Sequence, residues 1–287
     1  MKVALVTGGN QGLGLSTAKE LTALGYHVYI TVRSDEKGLG AVGNIKAENA
    51  SALVDYEVMD MGDLISVADF IDRFSPEALD LLVCNAGIMN TPFAISKDSF
   101  EMQYQVNHLA HLLLTIKFLP KLKKAGRSRV VFLSSRAHMR HSEPIDYDAL
   151  SKESAETYNG WHAYGRSKLS NILAAKALAK RFPISTSGIN FFAVHPGLVD
   201  TGLLTKGGLN LKGMKVTDGI KCTIYVATSS DLENSSGEYW HNEVTEFIRG
   251  SLETPKFMTK IANSEEEADK MWEHSLKMLG IRNEEVI

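Results

Sequence analysis

Tyr164 and Lys168 are the two residues of this sequence whose types and spacing most directly suggest chemistry. They stand four positions apart in the run 162–182, whose apolar positions keep helical spacing, so in a helix they share one face. A phenol exchanges protons poorly near neutral pH because its pKa is about 10, but a nearby ammonium favours the phenolate. The pair therefore predicts a tyrosine acid or base, although the same spacing also occurs by chance on solvated helix faces.

The composition is that of an ordinary globular protein, since 44% of the 287 residues are apolar and 23% are charged. This length can form one sizeable core, which predicts a single domain over residues 1–287. The net charge of −3 and the scattered lysines and arginines provide no basic face. We therefore expect no nucleic-acid partner.

Cysteine usage and the start of the chain bear on where the protein works. Cys84 and Cys222 lie far apart without metal-ligand spacing, which predicts packed, reduced thiols and no metal site. The chain opens on a short apolar run without a charged leader, and it contains no apolar run of about 18 residues. We expect a cytoplasmic protein with no membrane anchor.

Short apolar runs alternate with longer amphipathic runs along the chain. The predicted strands are 3–6, 27–32, 54–59, 79–84, 129–133, 189–194 and 236–240, and the predicted helices are 13–24, 36–47, 64–74, 100–122, 162–182, 217–228 and 264–279. This alternation implies right-handed crossovers. It predicts an α/β fold, a doubly wound parallel sheet of Rossmann type with about seven strands and helices on both faces.

A glycine-rich loop follows the first predicted strand and leads into a helix. Its glycines allow a tight turn and let a diphosphate approach the amides of the helix N-terminus, although a flexible turn would look similar. The spacing differs from the common G-x-G-x-x-G fingerprint. The residues predicted to surround a dinucleotide here are Gly8, Asn10, Gln11, Gly12, Leu13 and Gly14.

Two further strand ends bear on the choice of dinucleotide. Arg33 follows the second strand where an NAD site usually has an acid, and arginine suits a 2'-phosphate, so NADP is favoured over NAD. A plain surface arginine, partly neutralised by Asp35, is the alternative. Asp60 and Met61 follow the third strand, and Asp60 could accept from an adenine amino group or cap the next helix.

The fourth strand ends in Asn85, Ala86 and Gly87, small residues that would face the cofactor groove. Asn107 lies within an apolar helix, where a buried amide needs hydrogen-bond partners. Cross-bracing and proton relay are both open for it. The neighbouring histidines lack a carboxylate pattern, so we expect no metal there.

The ordered set of motifs resembles the short-chain dehydrogenases/reductases over nearly the whole chain. The motifs are TGxxxGxG from Thr7, NAG from Asn85, SS at Ser134 and Ser135, YxxxK from Tyr164, and PG from Pro196. Within that superfamily, VNHLAH at 106–111, AYGRSKL at 163–169 and MWEHS at 271–275 resemble the retinol dehydrogenase and WW-domain oxidoreductase group. Retinoid specificity is not implied.

The resemblance implies a role for each residue of these motifs. Tyr164 would be the general acid or base, with its pKa lowered by Lys168, and Ser135 would hold the substrate oxygen. Lys168 would also grip the nicotinamide ribose, and Asn107 would hold a water of a proton path. The segment after the sixth strand would bind the carboxamide and diphosphate through Pro196, Gly197, Leu198, Val199 and Thr201.

The C-terminal third carries no catalytic constellation. Residues 198–216 are rich in glycine, which predicts a substrate lid or else a disordered loop. The extension 237–287 contains a helix with a capping box at Ser264 and Glu267. Its stripe around Trp272 is expected to dock the helix on the domain rather than to contact substrate.

These observations predict an NADP(H)-dependent oxidoreductase that interconverts an alcohol and a ketone or aldehyde. The expected partner is a small alcohol or carbonyl compound, and the oligomeric state, including a homo-oligomer, stays open. A protochlorophyllide-reductase-like C=C reductase is the enzymatic alternative. A catalytically idle dinucleotide-binding sensor or scaffold is the alternative from another class, although it would not need the catalytic residues.

Overall fold

The computed structural model describes residues 1–150, 153–209, 211–243 and 246–286. Its strands are β1 (Val3–Thr7), β2 (His27–Val32), β3 (Val54–Val58), β4 (Leu81–Cys84), β5 (Ser128–Leu133), β6 (Ile189–His195), β7 (Glu238–Glu243) and β8 (Glu246–Arg249). They form one eight-stranded sheet in the order β3-β2-β1-β4-β5-β6-β7-β8. All neighbours pair in parallel except β7 and β8, which pair antiparallel. The predicted doubly wound α/β fold is confirmed, with β8 as an unpredicted edge strand.

The helices cover both faces of the sheet. They are α1 (Gly12–Ala23), α2 (Asp35–Glu48), α3 (Leu64–Arg73), α4 (Met102–Tyr104), α5 (Ala110–Lys124), α6 (Tyr147–Leu150), α7 (Gly160–Arg181), α8 (Ile184–Ser187), α9 (Gly202–Lys206), α10 (Val216–Thr228) and α11 (Glu265–Leu279). A π-helical segment, Gln105–Leu109, joins α4 to α5. No helix in the described parts of the chain is long and apolar enough to cross a membrane.

Two apolar clusters hold these layers together. One lies between the sheet and α3, α5, α7 and α11, and the other lies between the sheet and α1, α2 and α10. The central strands are buried on both faces, as their continuous apolar runs require in a parallel sheet. This arrangement fixes the carboxyl ends of the strands at one edge, where ligands bind in open α/β sheets.

The helix α11 shows how the C-terminal extension is attached. Ser264 caps it by accepting a hydrogen bond from the backbone N–H of Glu267 at 3.2 Å, as predicted. Trp272 is fully buried, lies 4.8 Å from the Arg181 guanidinium of α7, and donates to Asn283 at 2.9 Å. The apolar stripe therefore docks the helix on α7, as expected.

Candidate active site

The glycine loop between β1 and α1 has a shape that other residues could not form. Gly8 has a φ of +67°, and a Cβ on Gly14 would lie 2.3 Å from the Gly8 carbonyl oxygen. The helix α1 has no acidic residue in its first turn, and Gln11 makes no side-chain capping bond. The N–H groups at this helix end are therefore suited to receive an anion.

The end of β4 is tied to the same loop. Thr7 Oγ1 accepts hydrogen bonds from the backbone N–H groups of Asn85 and Ala86, each at 2.9 Å. The Asn85 side chain donates to the Thr7 carbonyl oxygen at 2.8 Å. A Cβ on Gly87 would lie 3.1 Å from Asn107 Oδ1 and 3.6 Å from Lys168 Nζ. The strand order reverses between β1 and β4, so these contacts line the crevice where such sheets bind ligands.

Tyr164, Lys168 and Ser135 lie together beside this crevice. Tyr164 is buried, the Ser135 side chain lies close enough to lower the pKa of its phenol, and its ring centroid is 5.7 Å from Lys168 Nζ. Lys168 Nζ donates to the Leu133 carbonyl oxygen at 2.8 Å, which anchors the ammonium to the end of β5. The helical spacing therefore brings the predicted pair to one face, next to Ser135, which follows β5.

Burial dominates the electrostatics of this group. It raises the pKa of Tyr164 to about 12, and the nearby Ser135 side chain offsets part of that rise. Burial also lowers the pKa of Lys168 to about 8. We expected Lys168 and the oxidised nicotinamide to lower the pKa of Tyr164 together, whereas burial sets the direction of the shift within the protein itself.

The two serines after β5 have different surroundings. Ser134 is buried, and its hydroxyl donates to the Lys168 carbonyl oxygen at 2.7 Å. Ser135 Oγ accepts from the Ala137 N–H at 3.1 Å and also meets Tyr164. Ser135 is therefore the serine whose hydroxyl lies near the Tyr164 phenol in the cleft.

Asn107 lies in the π-helical segment, and its side chain braces two elements. Its Oδ1 accepts from the Ile88 N–H at 2.9 Å, while Nδ2 donates to the Ile88 carbonyl oxygen and to Ser167 Oγ, both at 2.9 Å. The Asn107 carbonyl oxygen accepts from His111 Nδ1 at 3.0 Å and from Asn171 Nδ2 at 3.1 Å. The geometry thus supports the bracing alternative, since all these polar groups have protein partners.

The remaining predicted cofactor residues lie at the ends of β2 and β3. Arg33 is exposed and has no ion pair among the residues that the structure describes. Asp60 is exposed, and its Oδ1 accepts from the Gly62 N–H at 2.9 Å, whereas Met61 is buried in the core. Asp63 caps α3. These residues stand at the ligand-binding edge of the sheet but apart from the Tyr164 group.

The chain after β6 forms the far wall of a cleft in front of Tyr164. The cleft has a volume of about 960 Å³, and the predicted residues that line it here are Leu13, Pro196, Gly197, Leu198, Val199 and Thr201. Gly197 has a φ of +87°. A Cβ on Gly12 would lie 3.5 Å from Thr201 Cγ2, so Thr201 borders the glycine loop.

Described residues of the segment 198–216 line one side of the cleft. The helix α9 of this segment places Leu204 against Tyr164 and Met89 in a small apolar cluster. Asn90 Nδ2 donates to the Gly207 carbonyl oxygen at 2.9 Å, which ties the segment to the end of β4. A bridge joins Val199 to Met214 at its base. Asn210 lies outside the described residues.

Comparison with known proteins gives a consistent result. A family profile described as short chain dehydrogenase matches residues 2–149. Retinol dehydrogenase 12 of Mus musculus is 33% identical over 291 residues, which cover 98% of this chain and 87% of the relative. The chain belongs to the short-chain dehydrogenase family.

Two further proteins are similar to this chain over nearly its whole length. The chloroplastic short-chain dehydrogenase TIC 32 B of Brassica napus is 33% identical over 293 residues, which cover 96% of this chain and 88% of that protein. A solved structure of an uncharacterized protein from Mycobacterium Paratuberculosis is 30% identical, with a TM-score of 0.79, over 98% of this chain and 94% of that chain. The resemblance to the retinol dehydrogenase group is confirmed.

Short-chain dehydrogenases bind nicotinamide dinucleotides, and the residues present fit such a cofactor. The glycine loop leaves space that a Cβ would fill, the N–H groups of α1 are free of side-chain caps, and Thr201 borders them. No group of three or more metal-ligating side chains occurs in the described ranges. Burial lowers the pKa of both His108 and His111 to about 3, so both are neutral core residues.

Sequence reasoning missed several residues of this short-chain dehydrogenase cleft. Arg136, Arg140 and Lys212 line it, as do His195 and His241. His195 is part of the motif before Pro196, so its position was visible, but no periodicity or spacing distinguished the others. They come together only because the loop after β5, the segment 198–216 and the end of β7 meet in the fold.

Proposed function

We propose that the protein is an NADP(H)-dependent oxidoreductase that interconverts an alcohol and a ketone or aldehyde, with Tyr164 as general acid and base. The observation that carries this proposal is that Tyr164 and Ser135 line a cleft beside the glycine loop, while the buried Lys168 ammonium lies 5.7 Å from the centroid of the Tyr164 ring. Membership of the short-chain dehydrogenase family supports it. The two buried free thiols accord with a cytoplasmic location.

The residues divide the chemistry as follows. A bound nicotinamide supplies or accepts the hydride. In carbonyl reduction, Tyr164 donates its phenolic proton to the substrate oxygen, and Ser135 donates a hydrogen bond to the same oxygen. Lys168 stabilises the phenolate that remains. A phenol whose pKa is about 12 is protonated at neutral pH, and this is the state that reduction requires.

Cofactor selection is assigned to Arg33. Its guanidinium is exposed at the end of β2, and the position before it is Val32 rather than an acid. Asp35 accepts a hydrogen bond from the Tyr56 hydroxyl at 3.2 Å, so this nearby carboxylate has another partner. An unpaired arginine there suits the 2'-phosphate of NADP. Asp60 and Met61 would border the adenine.

Access to the cleft is assigned to the segment 198–216, which acts as a substrate lid. Leu204 covers the Tyr164 ring, and the contact between Asn90 and Gly207 holds the segment down. A lid of this kind excludes water from the reacting atoms. The extension 237–287 contributes to the cleft through the end of β7, not through α11.

The test is Tyr164→Phe, assayed with NADPH against a panel of ketones, aldehydes and quinones. The ring and its packing against Trp161 stay, so folding and NADPH affinity should hold while kcat falls roughly 100-fold or more. Tyr225→Phe is the matched control, because its ring packs against Trp240 away from the cleft.

Retention of kcat in Tyr164→Phe would refute the assignment of the acid. Reduction of an activated C=C bond, with no carbonyl turned over, would instead support the C=C reductase. Tight NADPH binding without turnover of any compound would favour the idle sensor.

A further inference from the structure

The cleft in front of Tyr164 has an apolar wall and a positively charged rim. Its apolar side chains include Met89, Met139, Trp161, Leu204, Leu209 and Leu211, and its cationic side chains are Arg136, Arg140 and Lys212. Arg136 directly follows Ser135, and Lys212 belongs to the lid. The cations therefore come from two segments that are far apart in the sequence.

These cations stand without counter-ions. None of the three forms an ion pair with any residue that the structure describes, although many other lysines and arginines among the described residues do. The carboxylate that lines the cleft is Glu243, which lies 3.0 Å from His241 Nε2. The cleft thus carries an excess of positive charge on a chain whose net charge is −3.

The histidines of the cleft do not change this balance. Burial lowers the pKa of His195 well below its ordinary range, and it lowers the pKa of His241 as well. Both imidazoles are therefore neutral near pH 7. The positive charge of Arg136 contributes to both shifts, so its field reaches the inner wall.

Two of the cations are held at the cleft by local packing. The Arg140 guanidinium lies 5.3 Å from the Trp161 ring centroid, a cation–π contact that leaves its N–H groups free. Lys212 precedes Gly213, where a Cβ would lie 2.6 Å from the Asp200 backbone nitrogen. That close approach keeps the backbone at Lys212 against the base of the lid.

We propose that the substrate is an amphipathic carbonyl compound or alcohol, with an apolar body and an anionic group that Arg136, Arg140 and Lys212 attract. The inference rests on the proposed function, because it names the substrate class of the same site. In reduction, the carbonyl carbon gains a hydride from the reduced nicotinamide, and the oxygen gains a proton from Tyr164. The anionic group takes no part in the bond changes.

The probe is a medium-chain ω-oxo fatty acid compared with its methyl ester, which shares the aldehyde and the chain but lacks the charge. We expect kcat/KM to be roughly 10-fold higher for the acid at low ionic strength, since each exposed ion pair contributes a few-fold. The preference should fall as salt is added. It should be abolished when Arg136→Gln, Arg140→Gln and Lys212→Gln are combined.

Lys206→Gln is the matched control, because Lys206 lies on the same lid but its side chain does not line the cleft. It should keep the ratio of acid to ester turnover. An equal kcat/KM for acid and ester, or an equal loss for both in the triple variant, would overturn the inference.

Failure of the proposed function gives a different pattern. In that case neither aldehyde is reduced with NADPH or NADH. Calorimetric binding of the acid and the ester to the intact protein then still decides the inference. Tighter binding of the acid that requires the three cations supports the charged rim, and equal binding refutes it.

Discussion

Replacing Lys168 by methionine should make the protein more stable at pH 7. Burial lowers the pKa of Lys168 from 10.5 to about 8, which corresponds to a cost of about 3 kcal/mol for keeping the ammonium in the folded protein. Lys168→Met also loses the hydrogen bond from the ammonium to the Leu133 carbonyl oxygen, worth about 2 kcal/mol because the donor is charged, but Asn171 Nδ2 still donates to that oxygen at 3.0 Å. The expected net gain in the free energy of unfolding is about 1 kcal/mol.

The gain should depend on pH in a defined direction. Because the folded pKa lies below the unfolded one, the unfolded chain binds more protons between pH 8 and 10.5, and wild-type stability rises through that window. The advantage of Lys168→Met is therefore full below pH 8 and disappears towards pH 10.5. Urea unfolding of both proteins across this range measures the difference between their free energies of unfolding. Groups that titrate alike in both proteins do not contribute to that difference.

Lys180→Met is the matched control from the same helix. Asp269 raises the pKa of Lys180, so this exposed lysine adds stability at neutral pH instead of removing it. The control should therefore show no gain at pH 7. A Lys168→Met protein that is less stable than wild type at pH 7, or a difference that does not change between pH 8 and 10.5, would refute the reasoning.

Three further predictions concern the cofactor, the brace and the lid. Arg33→Ala should weaken NADPH binding roughly 10- to 100-fold and NADH binding little, which titration of both cofactors by fluorescence would measure. An equal loss of affinity for NADPH and NADH would argue against a role of Arg33 in cofactor selection. Asn107→Leu should lower the free energy of unfolding in urea by about 2 to 4 kcal/mol, because the backbone N–H and carbonyl groups of Ile88 both lose their partner. A large loss of turnover at unchanged stability would instead indicate that Asn107 relays protons. Asn90→Asp removes the donor to Gly207 and should raise KM about 5-fold with NADPH affinity unchanged, and an unchanged KM would argue against the lid contact.

The layered fold could be predicted because the apolar residues of its strands and helices recur with a regular spacing in the sequence. The strand β2 spans His27–Val32 as expected, and α7 begins and ends within two residues of its predicted bounds. The edge strand β8 was missed because Glu246–Arg249 is short and polar at both ends. A strand covered on one side only lacks the continuous apolar run that marks a parallel core strand.

Parts of the candidate site could not be predicted because they depend on three-dimensional surroundings. The π-helical segment Gln105–Leu109 differs from an α-helix by a local change of hydrogen bonding, to which apolar spacing is insensitive. The direction of the shift in the Tyr164 pKa depends on how deeply the phenol is buried, which no sequence motif records. The segment 198–216 was predicted to be a substrate lid or else a disordered loop, and the short helix α9 within it was not predicted.

The hydroxyl of Thr7 influences the tautomer of the His111 imidazole, which is far away in the sequence but in direct contact with it. It has two lone pairs and one proton, and the N–H groups of Asn85 and Ala86 occupy both lone pairs. Its proton has two acceptors in reach, the Val83 carbonyl oxygen at 3.4 Å and His111 Nε2 at 2.8 Å. The shorter contact favours His111 Nε2, which leaves the imidazole proton on Nδ1, facing the Asn107 carbonyl oxygen. The tautomer of His111 is thus dictated by backbone amides at the end of β4, and every dipole along this path points the same way, from the crevice into the π-helical turn.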